Sequence, residues 1–408
     1  MRHLLVFFIV LSYINVYGQT DVKTVFENAK NEFKRIDTLD RDEYDKINYT
    51  SILKSFKESI KLEPDNAEAL YFLGYVYSRM NSKDGRKIID LSVDLTIKSS
   101  EQFEKINEIT PKYSGELLFL DPYSKISAEW GSLGLKYLYE QKKDSAIWAF
   151  KEGKRRGGFS KYALKTHRKV LEACSENSVL ISSGDMSTFP LYYLQTVENF
   201  RNDISLVDVT LLNTVWYPNF LSVNNIIAFD IPKKELETID YLEWPDKLIK
   251  ISDFSWMLKA SYEGHLLRGD RVFLSFLKQN KFKRDIYFTL GFDRSSELSL
   301  RDYLGSKIVV NQLVYSELEN EDFDQYKKSI SRTLKLTKYI DLNNPDELAQ
   351  LEFYRYNLLN QISYLLDEND KKRAKQLISI LDKYAPENIY PYKYTEDSES
   401  LEKYRNRL

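Results

Sequence analysis

Residues 177–218 carry the feature that most constrains the fold, a strand–helix–strand pattern in a sequence otherwise dominated by helical periodicity. The short β-branched run Val179–Ile181 stops at Gly184-Asp185, and a second β-rich run, Ile204–Val209, follows a helical face. Thr188-Phe189-Pro190 predicts the start of the helix between them, with Thr188 as its N-cap. A strand, a crossover helix and a second strand predict a parallel pair in an α/β sheet.

Three later runs have the same β-rich character and predict further strands at Ile226–Ile231, Ile286–Leu290 and Lys307–Leu313. Between them, helices are predicted at Tyr217–Leu221 and Trp256–Leu267, the second containing His265. Arg268-Gly269-Asp270 is predicted to be a polar turn. The centre of the chain is therefore predicted to be an α/β sheet that is at least partly parallel.

Helical repeats are predicted on both sides of this sheet. The helix that ends at Pro64 and the helix that follows it resemble a tetratricopeptide repeat, in which a glycine permits close helix approach and large apolar residues fill the neighbouring groove. An irregular insertion, Leu117–Tyr123, interrupts the array, and a helical pair before Pro386 repeats the pattern. The predicted repeat-packing residues are Phe56, Pro64, Leu73, Gly74, Tyr77, Trp130, Leu133, Gly134, Tyr137, Ala146, Phe150, Ala374 and Pro386.

The first residues form a separate segment. A basic start, Met1-Arg2-His3, precedes the apolar run Leu4–Val16, and Val16-Tyr17-Gly18 offers a cleavage site. This pattern predicts a secretory signal peptide at 1–18 and a periplasmic or secreted protein, with a retained N-terminal anchor as the alternative. No membrane span is predicted after signal cleavage, because no later stretch is long and apolar enough.

Composition excludes several functional classes. The 59 basic and 61 acidic residues nearly cancel, to a net charge of −2, so no nucleic-acid partner is predicted. Cys174 is the single cysteine, which predicts a buried, inert thiol and no internal disulfide. With His167 and His265 far apart and no phosphate-loop, nucleophile-elbow or zinc-protease motif, the chain is predicted to have no catalytic residues, no metal and no cofactor.

A small polar cleft is predicted where the parallel strands end, since ligands of α/β sheets bind beyond the carboxyl ends of the strands. Aromatic side chains nearby are expected to act as stacking walls. Asp, Ser, Thr and Asn after strands are also ordinary helix caps and turns, so both interpretations stay open. The ligand-cleft candidates are Gly184, Asp185, Thr188, Tyr192, Asn213, Thr214, Trp216 and Tyr217.

The residues from Gly184 to Asp203, with the later run Leu211-Leu212-Asn213-Thr214 and Trp216-Tyr217, carry a family resemblance. The sequence from about Tyr123 to Pro386 resembles the soluble C-terminal region of bacterial membrane proteins of the protein O-mannosyltransferase-like type. That family usually has Gly-Asp-Asn-Asp where this chain has Gly184-Asp185-Met186-Ser187, and its membrane-embedded transferase half has no counterpart in these residues. The resemblance implies an accessory, non-catalytic exported domain.

The predicted fold class is α/β plus all-α, with tetratricopeptide-like repeats flanking a central α/β sheet domain and a C-terminal helical hairpin. The predicted function is that of an exported, non-catalytic scaffold that binds another protein or a peptide segment, with a link to cell-envelope glycosylation. The alternative is a domain that binds or hydrolyses a glycan or small ligand in a cleft around Asp185. The predicted domains are 1–18 (signal peptide), 19–160 (repeats), 161–316 (α/β), 317–330 (acidic linker) and 331–408 (helical hairpin).

Overall fold

The computed structural model describes residues 23–39, 47–82, 87–292, 296–315 and 322–408. The predicted signal peptide lies outside them. The chain divides into two compact units: unit 1 extends to Leu133 and includes Arg156–Gly158, and unit 2 consists of Gly134–Arg155 and Phe159–Leu408. Most described residues are helical, and a small mixed sheet lies in unit 2.

Unit 1 is built from helices, including the predicted pair on either side of Pro64. Polar side chains cap the N-termini of two of these helices. The Asn66 side chain accepts a hydrogen bond from the amide of Ala69, and the Ser92 side chain accepts one from the amide of Leu95. The third helix is buried along most of its length. The helices are residues 23–37 (α1), Thr50–Leu62 (α2), Ala67–Asn81 (α3), Val93–Ile109 (α4) and Pro122–Tyr139 (α5), the last of which continues into unit 2.

Two glycines let aromatic rings approach a helix backbone, one in each unit. In unit 1, a Cβ on Gly74 of α3 would lie 2.7 Å from the ring of Phe103 on α4. In unit 2, a Cβ on Gly134 would lie 2.6 Å from the ring of Phe150. Both distances are shorter than a carbon–carbon contact, so only glycine leaves room for the ring at these two positions.

The other predicted repeat-packing residues differ in burial. Pro64 is exposed in the turn between α2 and α3, while Tyr137 and Pro386 are half-buried. The remaining ones are buried as expected: Phe56, Leu73, Tyr77, Trp130, Leu133, Ala146, Phe150 and Ala374.

The sheet of unit 2 follows two helices, Lys143–Arg155 (α6) and Lys161–Ala173 (α7). Its strand order is β2-β1-β7-β9-β8, with β1 in parallel contact with β2 and β7 and the last two strands antiparallel. In register, Val179 of β1 faces Ser205 of β2 and Ile286 of β7. The strands are Val179–Ser182 (β1), Ser205–Asp208 (β2), Ile286–Thr289 (β7), Leu304–Ser306 (β8) and Val310–Leu313 (β9).

Two crossover helices join the parallel strands, Asp185–Glu198 (α8) after β1 and Arg268–Asn280 (α11) before β7. A parallel pair needs such a crossover, because its strands run in the same direction. Between β2 and α11 the chain forms two short helices and two small antiparallel ribbons, in which β3 pairs with β6 and β4 with β5. These elements are Trp216–Val223 (α9), Lys233–Thr238 (α10), Leu242–Glu243 (β3), Lys247–Ile251 (β4), Phe254–Leu258 (β5) and His265–Leu266 (β6).

Helices also follow the sheet and end the chain. The guanidinium of Arg355, which has no exposed surface, donates to the carbonyls of Ala385 at 2.9 Å and Tyr390 at 2.5 Å. The fully buried cation therefore fixes the segment that follows the penultimate helix. The helices are Phe323–Leu334 (α12), Pro345–Asp367 (α13), Lys371–Tyr384 (α14) and Thr395–Arg407 (α15).

Two predictions for the β2–α11 connection are wrong. Ile226–Ile231 is not a strand, because side chains already bind its backbone: Ser205 Oγ donates to the Ile226 carbonyl at 2.7 Å, and the amide of Asp230 donates to Ser275 Oγ at 3.0 Å. Trp256–Leu267 is not a helix either. Its first residues belong to β5, where Phe254, Trp256 and Leu258 are buried with a period of two, and His265 lies in β6.

Three boundaries also differ from the predictions. Helix α8 begins at Asp185 with Gly184 as its N-cap, so Thr188 lies inside the helix and Pro190 in its second turn. Arg268-Gly269-Asp270 is the first turn of α11, where the buried Asp270 carboxylate accepts the amide of Leu267 at 2.8 Å. Near the end of the chain, α12 begins at Phe323, within the predicted linker, and α15 anchors the terminal segment through the buried Leu401.

We expect Gly74→Ala to lower the free energy of unfolding by about 1–3 kcal/mol, because the added methyl group overlaps the buried Phe103 ring. Helix propensity acts in the opposite direction, by about 1 kcal/mol in favour of Ala. Urea denaturation measures the net effect. The double variant Gly74→Ala/Phe103→Leu relieves the overlap and is the control; a Gly74→Ala protein more stable than the wild type would show that the ring does not constrain this position.

Candidate functional site

The carboxyl edge of β1, β2 and β7 is where the predicted ligand-cleft residues lie. Gly184 and Asp185 follow β1, and both are partly exposed at the start of α8. Gly184 has a φ of +80°, which glycine adopts without strain. Asn213 and Thr214 follow β2, the first exposed and the second buried. The strand ends are thus brought together as expected, but their side chains differ in accessibility.

Asn213 holds the start of α11. Its side-chain oxygen accepts the amide hydrogen of Gly269 at 2.9 Å. A Cβ on Gly269 would lie 2.8 Å from the Asn213 amide nitrogen, so the contact requires glycine on the helix side. The guanidinium of Arg268 donates to the Thr214 carbonyl at 3.3 Å. These contacts dock the second crossover helix on the turn after β2, and they are structural.

A buried carboxylate, Asp208, lies at the centre of the edge. It ends β2 and is 2 % exposed. One oxygen accepts the Thr188 hydroxyl at 2.5 Å, and the other accepts the amide and hydroxyl of Thr210, at 2.8 and 2.5 Å, and the amide of Leu211, at 3.1 Å. Burial raises the pKa of Asp208, although these hydrogen bonds act to lower it. Asp208 was not among the predicted site residues, although its position at the end of a β-rich run could have indicated it.

The aromatic candidates pack in the core and do not form the exposed stacking walls that were expected. The Tyr217 hydroxyl oxygen accepts the amide of Asp208 at 2.9 Å and lies 3.1 Å from the Tyr192 hydroxyl. Burial raises the pKa of both tyrosines. Trp216, 6 % exposed, meets Tyr139 edge-on with ring centroids 5.7 Å apart. Tyr217 also stacks on Phe220 of α9, with ring centroids 5.9 Å apart, so the aromatic candidates contribute to the core.

His167 connects α7 to the start of α8. Its Nδ1 donates to the Ala163 carbonyl at 2.7 Å, and the backbone of Met186 is a second polar neighbour of the ring. A neutral imidazole carries one N–H, which the Ala163 carbonyl accepts, so Nε2 has no hydrogen to donate. The ring thus lies between α7 and the first turn of α8. Burial lowers the pKa of His167 to about 4, against the opposing effect of these backbone contacts.

Two reactive side chains in or near the sheet, Asp208 and Cys174, are enclosed by the protein. The Asp208 carboxylate is enclosed by donors from the protein and is out of reach of a substrate. Among the described residues, no group of three or more His, Cys, Asp or Glu side chains is arranged to hold a metal ion. Cys174 is buried, its thiol donates to the Val170 carbonyl at 3.3 Å, and burial raises its pKa to about 12. A thiol in this state is a poor nucleophile.

Unit 1 contains a second candidate, which sequence reasoning missed. The loop of residues 117–121 is held on α3 by two buried tyrosines, and we call it the tyrosine-held loop. Tyr71 Oη accepts the amide of Leu118 at 2.9 Å and donates to the Leu120 carbonyl at 2.8 Å, while Tyr75 Oη accepts the amide of Leu120 at 2.7 Å. The Tyr-x-x-x-Tyr spacing, which places both rings on one helix face, was the available signal.

The side chains of this loop alternate in direction. Leu118 and Leu120 are half-buried, while Leu117 is 52 % and Phe119 82 % exposed. Just before the loop, Glu116 pairs with Lys30 at 2.9 Å and Lys34 at 2.6 Å. The backbone is therefore fixed while two large apolar side chains face solvent.

Asp208 gives a pH-dependent prediction. Because the folded pKa is raised above the unfolded value of 3.8, the folded state keeps this proton to a higher pH. Its contribution to the free energy of unfolding therefore falls as pH rises from about 4 to the folded pKa. We expect the stability of the wild type minus that of Asp208→Asn to decrease over this window, as measured by urea denaturation at a series of pH values. A constant difference would show that the two states do not differ in this pKa.

His167 gives the opposite pH dependence. Its folded pKa of about 4 lies below the unfolded value of 6.5, so the neutral ring contributes stability that is lost as pH falls through this range. The gap corresponds to about 3 kcal/mol. The measurement is urea denaturation at a series of pH values. We expect the pH-dependent loss of stability to be mostly absent in His167→Gln and unchanged in the control His265→Gln, whose histidine is half-exposed. Equal pH profiles for the two variants would contradict the burial of a neutral His167.

None of the helices in the described part of the chain has the length and apolar character needed to cross a membrane. In a comparison with known families, residues 163–232 match the family model described as TMEM260-associated domain 2. The matched stretch begins in α7 and contains β1, α8, β2 and α9, the strand-end region described above. No curated protein matches the chain. Over these residues the chain is similar to a TMEM260-associated domain, in broad agreement with the resemblance found in its sequence.

Proposed function

We propose that this chain is an exported, non-catalytic interaction protein whose tyrosine-held loop binds a partner protein. The observation that carries the proposal is the combination of a fixed backbone with two exposed apolar side chains, Leu117 and Phe119. An aromatic anchor on an ordered backbone loses little conformational entropy on binding, which is the property that favours interface hot spots. Isolated exposed apolar residues are common, so the fixed backbone is the informative part.

The comparison supports an accessory role. The matched family is described as a TMEM260-associated domain, and the sequence resembles the soluble region of O-mannosyltransferase-like membrane proteins. The first eighteen residues have the pattern of a signal peptide. We therefore place the partner among the proteins of cell-envelope glycosylation.

The competing function, a glycan or small-ligand cleft around Asp185, has weaker support. Thr188, Tyr192 and Tyr217 are buried around Asp208, and Asn213 is engaged by Gly269. Only Gly184, Asp185 and Asn213 remain at the accessible edge. A bound sugar usually needs an aromatic face and several free polar groups, and the aromatic candidates are not accessible here.

We expect Phe119→Ser to reduce capture of the partner by at least about tenfold, since loss of a central aromatic anchor costs about 2 kcal/mol or more. The measurement uses a photo-crosslinking amino acid at position 117 and quantifies crosslinked partner from an envelope extract, with and without Phe119→Ser. The matched control is Leu62→Ser, which removes a side chain of similar exposure, 64 %, from α2 of the same unit.

Two results would contradict the proposal. The first is equal crosslinking with and without Phe119→Ser, provided that the variants have the same thermal stability as the wild type. The second is calorimetric binding of a soluble oligosaccharide that Asp185→Ala abolishes, together with no crosslinked protein. That outcome would favour the strand-edge cleft.

A further inference from the structure

A cavity of about 320 Å³ opens in unit 2 between α7, α12 and Val309. Its volume is at the lower end of the range of about 300–1,000 Å³ typical of small-molecule sites. It contains none of the predicted ligand-cleft residues and does not involve the tyrosine-held loop. The side chains that define its chemistry are Lys169, Glu172, Lys328, Ser329, Arg332 and Thr333.

The charge of this lining is unbalanced. It contains three cationic side chains and one carboxylate. The carboxylate of Glu172 is already paired with the Lys169 ammonium. Within the described part of the chain, Lys328 and Arg332 form no ion pair with a carboxylate. Two positive charges at the cavity thus have no carboxylate partner among the residues that the structure describes.

Lys328 and Arg332 are close enough in the helix to repel each other. Lys328 and Arg332 are four residues apart on α12, which places them on the same helix face. Like charges at this spacing destabilise a helix by about 0.2–0.5 kcal/mol. Arg332 is also in the last turn, where the helix dipole favours a cation, but this effect does not extend to Lys328 one turn earlier. The dipole therefore does not explain the pair.

Hydroxyl groups complete the lining. Ser329 and Thr333 are adjacent in sequence to the two cations and line the same cavity. The Thr333 hydroxyl donates its proton to the Ser329 carbonyl at 3.1 Å, so the Ser329 hydroxyl is the donor that is left for a ligand. A guanidinium, an ammonium and a hydroxyl are the groups with which proteins bind phosphate.

We propose that this cavity binds a phosphomonoester. Such a group carries a charge of about −1.5 to −2 at neutral pH, which matches the charge of Lys328 and Arg332, whereas a single carboxylate would neutralise only half of it. Arg332 is placed to bind two phosphate oxygens through its planar fork, and Lys328 supplies a point charge. Glu172 neutralises Lys169 and so limits the site to a ligand with a single phosphate. The phosphate belongs either to a soluble sugar phosphate or to a lipid headgroup.

Isothermal titration calorimetry with a hexose phosphate, the unphosphorylated hexose and inorganic phosphate tests the soluble source. Vesicles of phosphatidylcholine with and without phosphatidic acid, in a sedimentation assay, test the lipid source. The protein is the full chain, as wild type, Arg332→Gln and the matched control Lys335→Gln. Lys335 follows α12, is exposed and does not line the cavity, and its substitution removes the same charge.

We expect binding of the phosphorylated probe only, in the soluble or the vesicle arm. Arg332→Gln should weaken it at least about tenfold, because hydrogen bonds between charged groups are stronger than neutral ones, and Lys335→Gln by less than about twofold. Raising the salt concentration should weaken it as well. Absence of phosphate-dependent binding in both arms, or equal weakening by the two substitutions, would overturn the proposal. Both positions are exposed, so unchanged thermal stability of the variants is expected and excludes misfolding as the cause.

Discussion

The burial of the Asp208 carboxylate at the end of β2 requires hydrogen-bond donors on several sides, and separate elements of unit 2 supply them. A hydroxyl comes from α8 through Thr188, and backbone amides come from the turn at residues 210–211. On the backbone side, Tyr217 of α9 accepts the Asp208 amide. A buried charge without such partners would cost several kcal/mol, so the strand, the crossover helix and the following turn depend on one another. Most polar groups at the carboxyl edge of the sheet are therefore engaged within the protein, and Gly184, Asp185 and Asn213 remain accessible.

As a result, the polar residues at the strand ends stabilise the fold of unit 2, and the candidate binding groups lie at other positions. Polar residues at strand ends are the usual position for ligand groups in α/β sheets, yet here most of them satisfy the protein's own backbone and side chains. Accessible groups with no evident structural use lie elsewhere. In unit 1 they are the apolar side chains of the tyrosine-held loop, and in unit 2 they are the cations of the α7–α12 cavity. The proposed partner-binding loop and the proposed phosphate site therefore differ in chemistry and lie in different units.

The sequence predicted elements whose determinants are local and missed those that depend on distant partners. Strand β1 was predicted at Val179–Ile181 and observed at Val179–Ser182, because its β-branched run and the glycine turn that follows it are local. The run Ile226–Ile231 has strand-like composition. Composition does not reveal that the Ser205 hydroxyl donates a hydrogen bond to the Ile226 carbonyl, which a neighbouring strand would otherwise use. The segment from Trp256 was predicted to be a helix and begins as a strand, because a short apolar run is compatible with both.

The candidate sites show the same limit. The convergence of the strand ends followed from the β-α-β pattern, whereas the burial of Tyr217 followed from packing around α9, which no local pattern encodes. The tyrosine-held loop depends on hydrogen bonds between residues more than forty positions apart. The cavity joins α7 to α12, which are separated by the whole sheet in sequence. Contacts of this kind are visible only once the chain is folded.

The state of Cys174 has a practical consequence for spectroscopy. Thiol-specific dyes react with the thiolate, and a buried thiol with a pKa of about 12 supplies almost none at neutral pH. Since the chain has no other cysteine, one introduced at an exposed position would be labelled selectively in the native protein without removing the natural thiol. Slow labelling of Cys174 itself would then record the rate at which the core around α7 opens. The chain thus contains an internal reporter of its own local unfolding.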